Sequence, residues 1–171
     1  MNQLLSKVMS DLSTIIKEIQ SFINGLEANN TGGISATEIS NAIETYIVRP
    51  LGLSQLALKA LMSQSQLETG NFKSPVFLAT KSLFNRHKGF GDGFWTGQTY
   101  YASGADSNLR IYTSVEQSAQ DFAELLKNPL YTHALFFLRA GEINHYFEEL
   151  QSVGFSASPT YAANLSEIYN A

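Results

Sequence analysis

Glu68 is the residue whose place in the sequence first indicates chemistry. It follows a run of apolar and amide side chains in "LMSQSQLETG", and Gly70 ends the predicted helix. On that helix Ala57, Leu61 and Gln64 share a stripe with Glu68, so the carboxylate continues a face that should be buried. Partial burial and the negative end of the helix dipole both raise the pKa of a carboxyl group. An acid that stays protonated near neutral pH can donate a proton to a leaving group, although a surface glutamate at a frayed helix end would show the same pattern.

The elements that must position Glu68 are mainly helices. Capping boxes at Ser35 and Ser114, and a proline after Ser158, mark three helix starts. The predicted helices run over residues 1–28, 35–48, 54–68, 114–127, 130–139 and 142–153, and from 158 to the end. A short hairpin is predicted over 94–112, with Trp95 and Tyr101 on one face and Tyr100 on the other. The sequence therefore predicts an α+β, mainly α-helical fold with a small β-hairpin.

The N-terminal helix has the most regular apolar pattern in the chain. Alternating spacings of three and four residues connect Leu5, Val8, Leu12, Ile15, Ile19, Phe22 and Leu26. This pattern fits a helix that packs on its own domain, and it equally fits self-association or docking to an assembly through residues 4–26. The segment "NNTGG" then breaks the helix and is typical of a hinge. We expect a heptad helix with its hinge over 1–33 and one globular domain over 34–171.

Bulk composition excludes several classes of function. The 171 residues carry a net charge of −4 with scattered Lys and Arg, which argues against nucleic acid as a partner. The absence of cysteine excludes disulfides and thiolate metal sites, and no segment is apolar enough to span a membrane. The three histidines, His87, His133 and His145, lack metal-ligand spacing, so we expect neither a metal nor a cofactor. The N-terminus lacks the uninterrupted apolar block of a cleaved signal peptide.

Four segments in order resemble the peptidoglycan endo-β-N-acetylglucosaminidases of glycoside hydrolase family 73, within the lysozyme-like superfamily. They are "SQLETGNFKS", "KSLFNRHK", "LRIYTSVEQSAQDFAELL" and "VGFSASPTYAANL". The matching residues are Glu68, Thr69, Gly70, Phe72 and Ser74 in the first, Leu83, Phe84 and Lys88 in the second, Arg110, Tyr112, Ser114 and Ser118 in the third, and Gly154, Pro159, Tyr161 and Ala162 in the fourth. The resemblance covers about residues 50–171 and leaves the heptad helix outside.

This resemblance implies a lysozyme-like fold and hydrolysis of the β-1,4 bond between N-acetylglucosamine and N-acetylmuramic acid in bacterial peptidoglycan. Glu68 would be the general acid, and a lytic transglycosylase that forms an anhydro product remains an alternative. Aromatic side chains would line the substrate groove and bind sugar rings by their apolar faces. The candidates for this contact are Phe72, Phe84, Trp95, Tyr101, Tyr112, Phe155 and Tyr161.

The chain departs from the family pattern at the second catalytic acid. The predicted hairpin has no glutamate, so the base or nucleophile would be Asp92, Asp106 or the acetamido group of the substrate itself. Phe155, Ser158 and Asn85 replace the tyrosine, aspartate and glycine of the family segments. The alternative function is therefore a catalytically weak or inactive glycan-binding or structural subunit of a larger assembly. With no cleaved signal seen, action at the cell wall would follow from lysis, virion packaging or a non-standard export route.

Overall fold

A computed structural model describes residues 2–27, 33–89, 93–101 and 108–171. Its elements in chain order are α1 (Asn2–Glu27), α2 (Ala36–Ile43), a π-helical turn (Glu44–Val48), α3 (Arg49–Leu51), α4 (Gln55–Thr69), α5 (Pro75–Thr80), β1 (Thr99–Tyr101), β2 (Asn108–Arg110), α6 (Val115–Leu126), a 3₁₀ turn (Pro129–Tyr131), α7 (Thr132–Ala140), α8 (Ile143–Ser152) and α9 (Tyr161–Asn170). The predicted mainly helical α+β class is confirmed. None of the described helices is both long and apolar enough to cross a membrane.

Serine side chains begin four of the helices. Ser35, Ser54, Ser74 and Ser114 each accept a hydrogen bond from the backbone N–H three residues later, at 3.1–3.3 Å. These bonds satisfy N–H groups that lack an intrahelical partner. The last helix differs from the prediction, because α9 begins at Tyr161 and not at Ser158. Ser158 instead accepts a bond from the N–H of Thr160 in the turn before the helix.

Helix α4 is central to the packing. It contacts α1, α2, α8 and α9, and its residues Leu61, Met62 and Gln64 are fully buried. Burial of each large apolar side chain stabilises the fold by roughly 1.5–3 kcal/mol. The surrounding helices therefore fix the axis of α4, and with it the position of the residues at its C-terminal end.

Helix α1 is divided between a packed half and an exposed half. Ile19 and Ile23 are buried in the core beside α2 and α4. The same apolar stripe continues towards the N-terminus, where its residues are exposed. These residues are Leu5, Val8, Met9, Leu12 and Ile16. The helix thus packs on its own domain through its second half, and the predicted boundary at residue 33 adjoins residues 28–32, which lie outside the described ranges.

The hairpin is shorter than the sequence pattern predicts. β1 and β2 pair antiparallel over three residues each, with Tyr100 opposite Leu109. Trp95 precedes β1, so strand alternation does not place it on the face of Tyr101 as expected. On its other side β2 is bonded to an irregular segment, since the N–H of Arg110 donates to the carbonyl of Arg86 at 2.8 Å. This pairing holds residues 85–88 beside the hairpin.

Candidate active site

Glu68 occupies the last full turn of α4, where a left-handed turn follows it. Gly70, Asn71 and Phe72 all have positive φ, at 58°, 56° and 62°. Thr69 holds this turn, because its hydroxyl donates to the carbonyl of Ser65 and accepts from the N–H of Phe72. Left-handed backbone at a residue as bulky as Phe72 is strained, and such strain persists only where the surroundings enforce it. The turn directs the chain away immediately after Glu68.

Two side chains from distant segments bind the Glu68 carboxylate. The hydroxyl of Tyr161, on α9, donates to Oε1 at 2.6 Å. The Asn85 amide donates to Oε2 at 3.0 Å and to the Glu68 backbone carbonyl at 2.7 Å. Asn85 has a φ of 44°, a conformation that asparagine tolerates and glycine adopts freely. This backbone requirement explains why asparagine fits where the family segment has glycine.

Burial raises the pKa of Glu68, and the hydrogen bonds from Tyr161 and Asn85 act in the opposite direction. Desolvation is the largest effect, so the neutral acid is favoured relative to an exposed glutamate. The two donors stabilise the carboxylate that remains after the proton has left. The site is therefore suited to proton donation followed by stabilisation of the conjugate base.

Behind Tyr161 the hydrogen bonds continue into the core. The side-chain amide of Gln64 donates to the Tyr161 hydroxyl at 3.3 Å. The hydroxyl of Tyr146, on α8, donates to Gln64 Oε1 at 2.6 Å. Gln64 and Tyr146 are fully buried. The sequence placed Gln64 on the stripe of Glu68, but it contained no signal for Tyr146.

A cavity of about 260 Å³ adjoins Asn85. Its lining residues are Phe84, Asn85, Arg86, His87, Leu125, Tyr131, Gly154, Phe155 and Ala157. The volume approaches the lower limit of about 300 Å³ for small-molecule pockets. Phe155 is half-buried and packs against Tyr161, with ring centroids 5.8 Å apart, so one side chain borders both the cavity and the Glu68 site.

The seven aromatic residues predicted to contact sugar are not equally accessible. Phe72 and Tyr112 are buried, and their positions are occupied by packing: Phe72 lies against Phe77, and the Tyr112 hydroxyl donates to Asp121 at 2.7 Å. Both rings are therefore closed off by their neighbours in this structure, with no exposed face for stacking on a sugar.

The other five aromatic candidates divide in a similar way. Phe84 is buried in a stack with Phe122 at the wall of the cavity, and Tyr161 is buried as a hydrogen-bond donor. Trp95 is half-buried 5.0 Å from the Arg110 guanidinium, Phe155 is half-buried at the cavity, and Tyr101 is exposed. Of this set, Phe155 combines accessibility with a place beside both the cavity and Tyr161.

A buried ion cluster, which sequence reasoning missed, holds residues 85–88 beside the cavity. The Asp121 carboxylate forms ion pairs with Arg86 Nη1 at 2.8 Å and Arg110 Nη1 at 2.9 Å and accepts a hydrogen bond from the Tyr112 hydroxyl, while Arg86 Nη1 also donates to the Asp121 backbone carbonyl at 2.6 Å. All four residues are buried, and the cluster joins α6 to β2 and to residues 85–88. Because Asp121 is closed off in these contacts, its carboxylate does not face a ligand. Arg110 and Tyr112 were matched to the family segments, whereas Arg86 and Asp121 lie in the quoted segments without being matched, and nothing in the sequence indicated that the four would meet.

Asp92 and Asp106, the predicted candidates for the second acid, lie outside the described residues. Within the described ranges no other carboxylate contributes to the pKa shift of Glu68. In the same ranges no group of three or more metal-binding side chains is assembled. The second catalytic group therefore remains a prediction from the sequence.

The sequence profile of the family described as mannosyl-glycoprotein endo-beta-N-acetylglucosaminidase matches residues 53–171 of the chain. The chain belongs to the glucosaminidase family. The protein is accordingly a glycoside hydrolase, and its glucosaminidase domain includes every residue of the Glu68 site. No curated protein sequence matches the chain.

Solved structures similar to this glucosaminidase include a peptidoglycan hydrolase from Sphingomonas sp. A1. That structure is 27% identical with a TM-score of 0.58, covering 76% of this chain and 82% of the hydrolase. A glutamate-to-alanine mutant of that hydrolase gives the same identity and TM-score, with 76% and 84% coverage. A further mutant structure is 24% identical with a TM-score of 0.51, covering 77% of this chain and 93% of its own. The fold is lysozyme-like, as the sequence resemblance implied.

Proposed function

We propose that this glucosaminidase hydrolyses the β-1,4 bond between N-acetylglucosamine and N-acetylmuramic acid in peptidoglycan, with Glu68 as the general acid. The observation that carries the proposal is the environment of Glu68. Burial raises the pKa of this carboxyl group, and two neutral donors are in place to stabilise the carboxylate. The Sphingomonas structures to which the chain is similar are peptidoglycan hydrolases, which supports the choice of substrate.

The acid step follows from these contacts. Neutral Glu68 donates its proton to the glycosidic oxygen as the bond to the leaving sugar breaks. The resulting carboxylate then accepts hydrogen bonds from Tyr161 and Asn85, which strengthen because the acceptor has become charged. Interactions that are stronger after proton transfer than before it lower the barrier to the reaction. No metal or cofactor is needed for this step.

The cavity beside Asn85 supports binding of a sugar of the glycan strand. Phe155 supplies an accessible apolar face, while Asn85 supplies amide hydrogen-bonding groups. Mixed aromatic and polar walls suit a pyranose ring, which has apolar faces and a polar edge. We assign Phe155 as the main stacking side chain, since it is accessible and also contacts Tyr161.

The second group would be Asp92, Asp106 or the acetamido group of the substrate. Glycosidases with two carboxylates place them about 5–5.5 Å apart for retention and about 6.5–9.5 Å apart for inversion. Asp121 does not serve, because two arginines and a tyrosine occupy its oxygens. The anomeric configuration of the first product separates a carboxylate base, which gives inversion, from the other two routes, since acetamido participation and a carboxylate nucleophile both give retention.

The deciding experiment is digestion of purified peptidoglycan by the wild type and by Glu68→Gln, Asp92→Asn and Asp106→Asn, with products identified by mass spectrometry. Reducing N-acetylglucosamine ends from the wild type, and their loss in Glu68→Gln, are expected. Loss of activity in one of the aspartate variants would identify the second acid. Anhydro-muramic ends would instead establish a lytic transglycosylase.

If the wild type pelleted with cell wall but released no product, a glycan-binding or structural subunit would replace the enzyme. The exposed apolar half of α1 is the feature that favours such a role, because it leaves a surface for a second copy or an assembly. Delivery in a virion or as a lysis enzyme would bring either form to the cell wall.

A further inference from the structure

The hydrogen bonds behind Glu68 all run in one direction. Tyr146 donates to Gln64, Gln64 donates to Tyr161, and Tyr161 donates to Glu68. A phenolic hydroxyl has one hydrogen, so the bond it donates determines what else it can do. Because the Tyr146 hydroxyl donates to the Gln64 side-chain oxygen, the Gln64 amide presents its NH₂ group to Tyr161. Tyr161 then has Glu68 as the acceptor for its single proton.

We propose that Gln64 and Tyr146 are positioning residues that keep the Tyr161 hydroxyl as a donor to Glu68. Neither residue touches the substrate cavity, and both act through Tyr161. The inference rests on the proposed role of Glu68 as the acid, since the fixed donor stabilises the carboxylate formed by proton transfer. The burial of Gln64 and Tyr146 strengthens the effect, because no water competes for these bonds.

The arrangement makes an unusual prediction about substitutions. Without the Tyr146 hydroxyl, the Gln64 amide is free to rotate and present its oxygen to Tyr161. Tyr161 then has two competing acceptors, so its hydroxyl donates to Glu68 in only a fraction of the molecules. Replacing Gln64 with methionine removes the competing oxygen altogether, so Tyr161 continues to donate to Glu68. Loss of the remote hydroxyl should therefore disturb Glu68 more than loss of the amide between them.

Few other groups in the described ranges act on Glu68. Tyr161 from α9 and Asn85 from the segment after α5 contact the carboxylate, and Tyr146 from α8 interacts with its charge. No charged side chain of these elements is among the causes of its pKa shift. A change in the Glu68 titration after substitution of Tyr146 or Gln64 thus reports on the Tyr161 bond.

The test is a titration of Glu68 by carboxyl ¹³C NMR in the full-length protein, assigned with Glu68→Gln. Tyr146→Phe should raise the midpoint by up to about one pH unit, a tenfold change in proton affinity. Gln64→Met should leave the midpoint within a few tenths of the wild type. The double variant Tyr146→Phe with Gln64→Met should match Gln64→Met alone. Tyr169→Phe, which removes a hydroxyl from the nearby α9, is the matched control and should leave the midpoint unchanged.

Kinetics on peptidoglycan complete the test. In Tyr146→Phe the basic limb of the pH profile should move upward with the midpoint, and kcat should fall several-fold with KM unchanged. The inference is overturned if Tyr146→Phe titrates like Tyr169→Phe, or if Gln64→Met fails to suppress the effect in the double variant. An inactive wild type would remove the proposed function, while the NMR titration would still decide whether the chain of bonds controls Glu68.

Discussion

Tyr161→Phe is the substitution that most directly tests the proton-donor role of Glu68. The tyrosine hydroxyl and Glu68 Oε1 are 2.6 Å apart, which is at the short end of the range for an O–H···O hydrogen bond. Phenylalanine keeps the buried ring and its contact with Phe155, but it removes the donor. Asn85 then remains as the single side-chain donor in contact with the carboxylate among the described residues.

The magnitude follows from the type of bond. A hydrogen bond to a charged group contributes about 1.5–3 kcal/mol. At about 1.4 kcal/mol for each tenfold, its loss should lower kcat by roughly 10- to 100-fold if the bond acts mainly on the charged form. The same loss should raise the pKa of Glu68, because the carboxylate is destabilised relative to the neutral acid. The basic limb of the activity profile should therefore move upward by about one to two pH units.

The assay is the release of reducing ends from peptidoglycan between pH 4 and 9, with kcat and KM fitted at each pH. Asn85→Gly is the matched comparison, since glycine keeps the left-handed backbone while removing the other donor. It should move the basic limb in the same direction. If kcat fell in Tyr161→Phe while the basic limb stayed in place or moved downward, the hydroxyl would not be stabilising the Glu68 carboxylate, and the reasoning would be refuted.

Three further predictions concern stability and association. Burial raises the pKa of Glu68 above its usual 4.5, so above that pH the folded state binds more protons than the unfolded state. The wild type should therefore lose stability relative to Glu68→Gln as the pH rises from 4 to 8. A difference in thermal midpoint that does not change with pH would contradict this. A Cβ at Gly93 would collide with Asp121, so Gly93→Ala should destabilise the fold by about 1–3 kcal/mol in urea unfolding, and an unchanged midpoint would contradict the packing. If the exposed half of α1 mediates self-association, the apparent mass of the wild type in sedimentation should exceed the monomer mass of 18.8 kDa at high concentration. The double variant Val8→Asn with Leu12→Asn should keep the monomer mass. A monomeric wild type would exclude self-association.

Local signals in the sequence predicted the helical framework well. Serine caps and left-handed glycines act within one turn of the chain, so their effect does not depend on the rest of the fold. The start of α9 was misplaced because the turn at Ser158 bonds to Thr160 and delays the helix to Tyr161. The strands were predicted too long, since the apolar pattern continues beyond the three residues that pair.

The positions of the aromatic side chains could not be predicted from local signals. Their type fits both a sugar-binding face and a hydrophobic core, and sequence alone does not distinguish the two. Packing against Phe77 made Phe72 a core residue, and the hydrogen bond to Asp121 did the same for Tyr112. Phe155, by contrast, remained half-exposed at the cavity.

The sequence by itself determined that a glutamate would end a buried helix stripe, and it carried the ordered segments that identify the glucosaminidase family. Only the tertiary structure decided what surrounds that glutamate. Tyr161 is 93 residues from Glu68 and Asn85 is 17 residues away, and both bonds form because α9 and the segment after α5 pack beside α4. Such bonds require positions accurate to a few tenths of an ångström, which arise from the packing of the whole core and not from any local pattern.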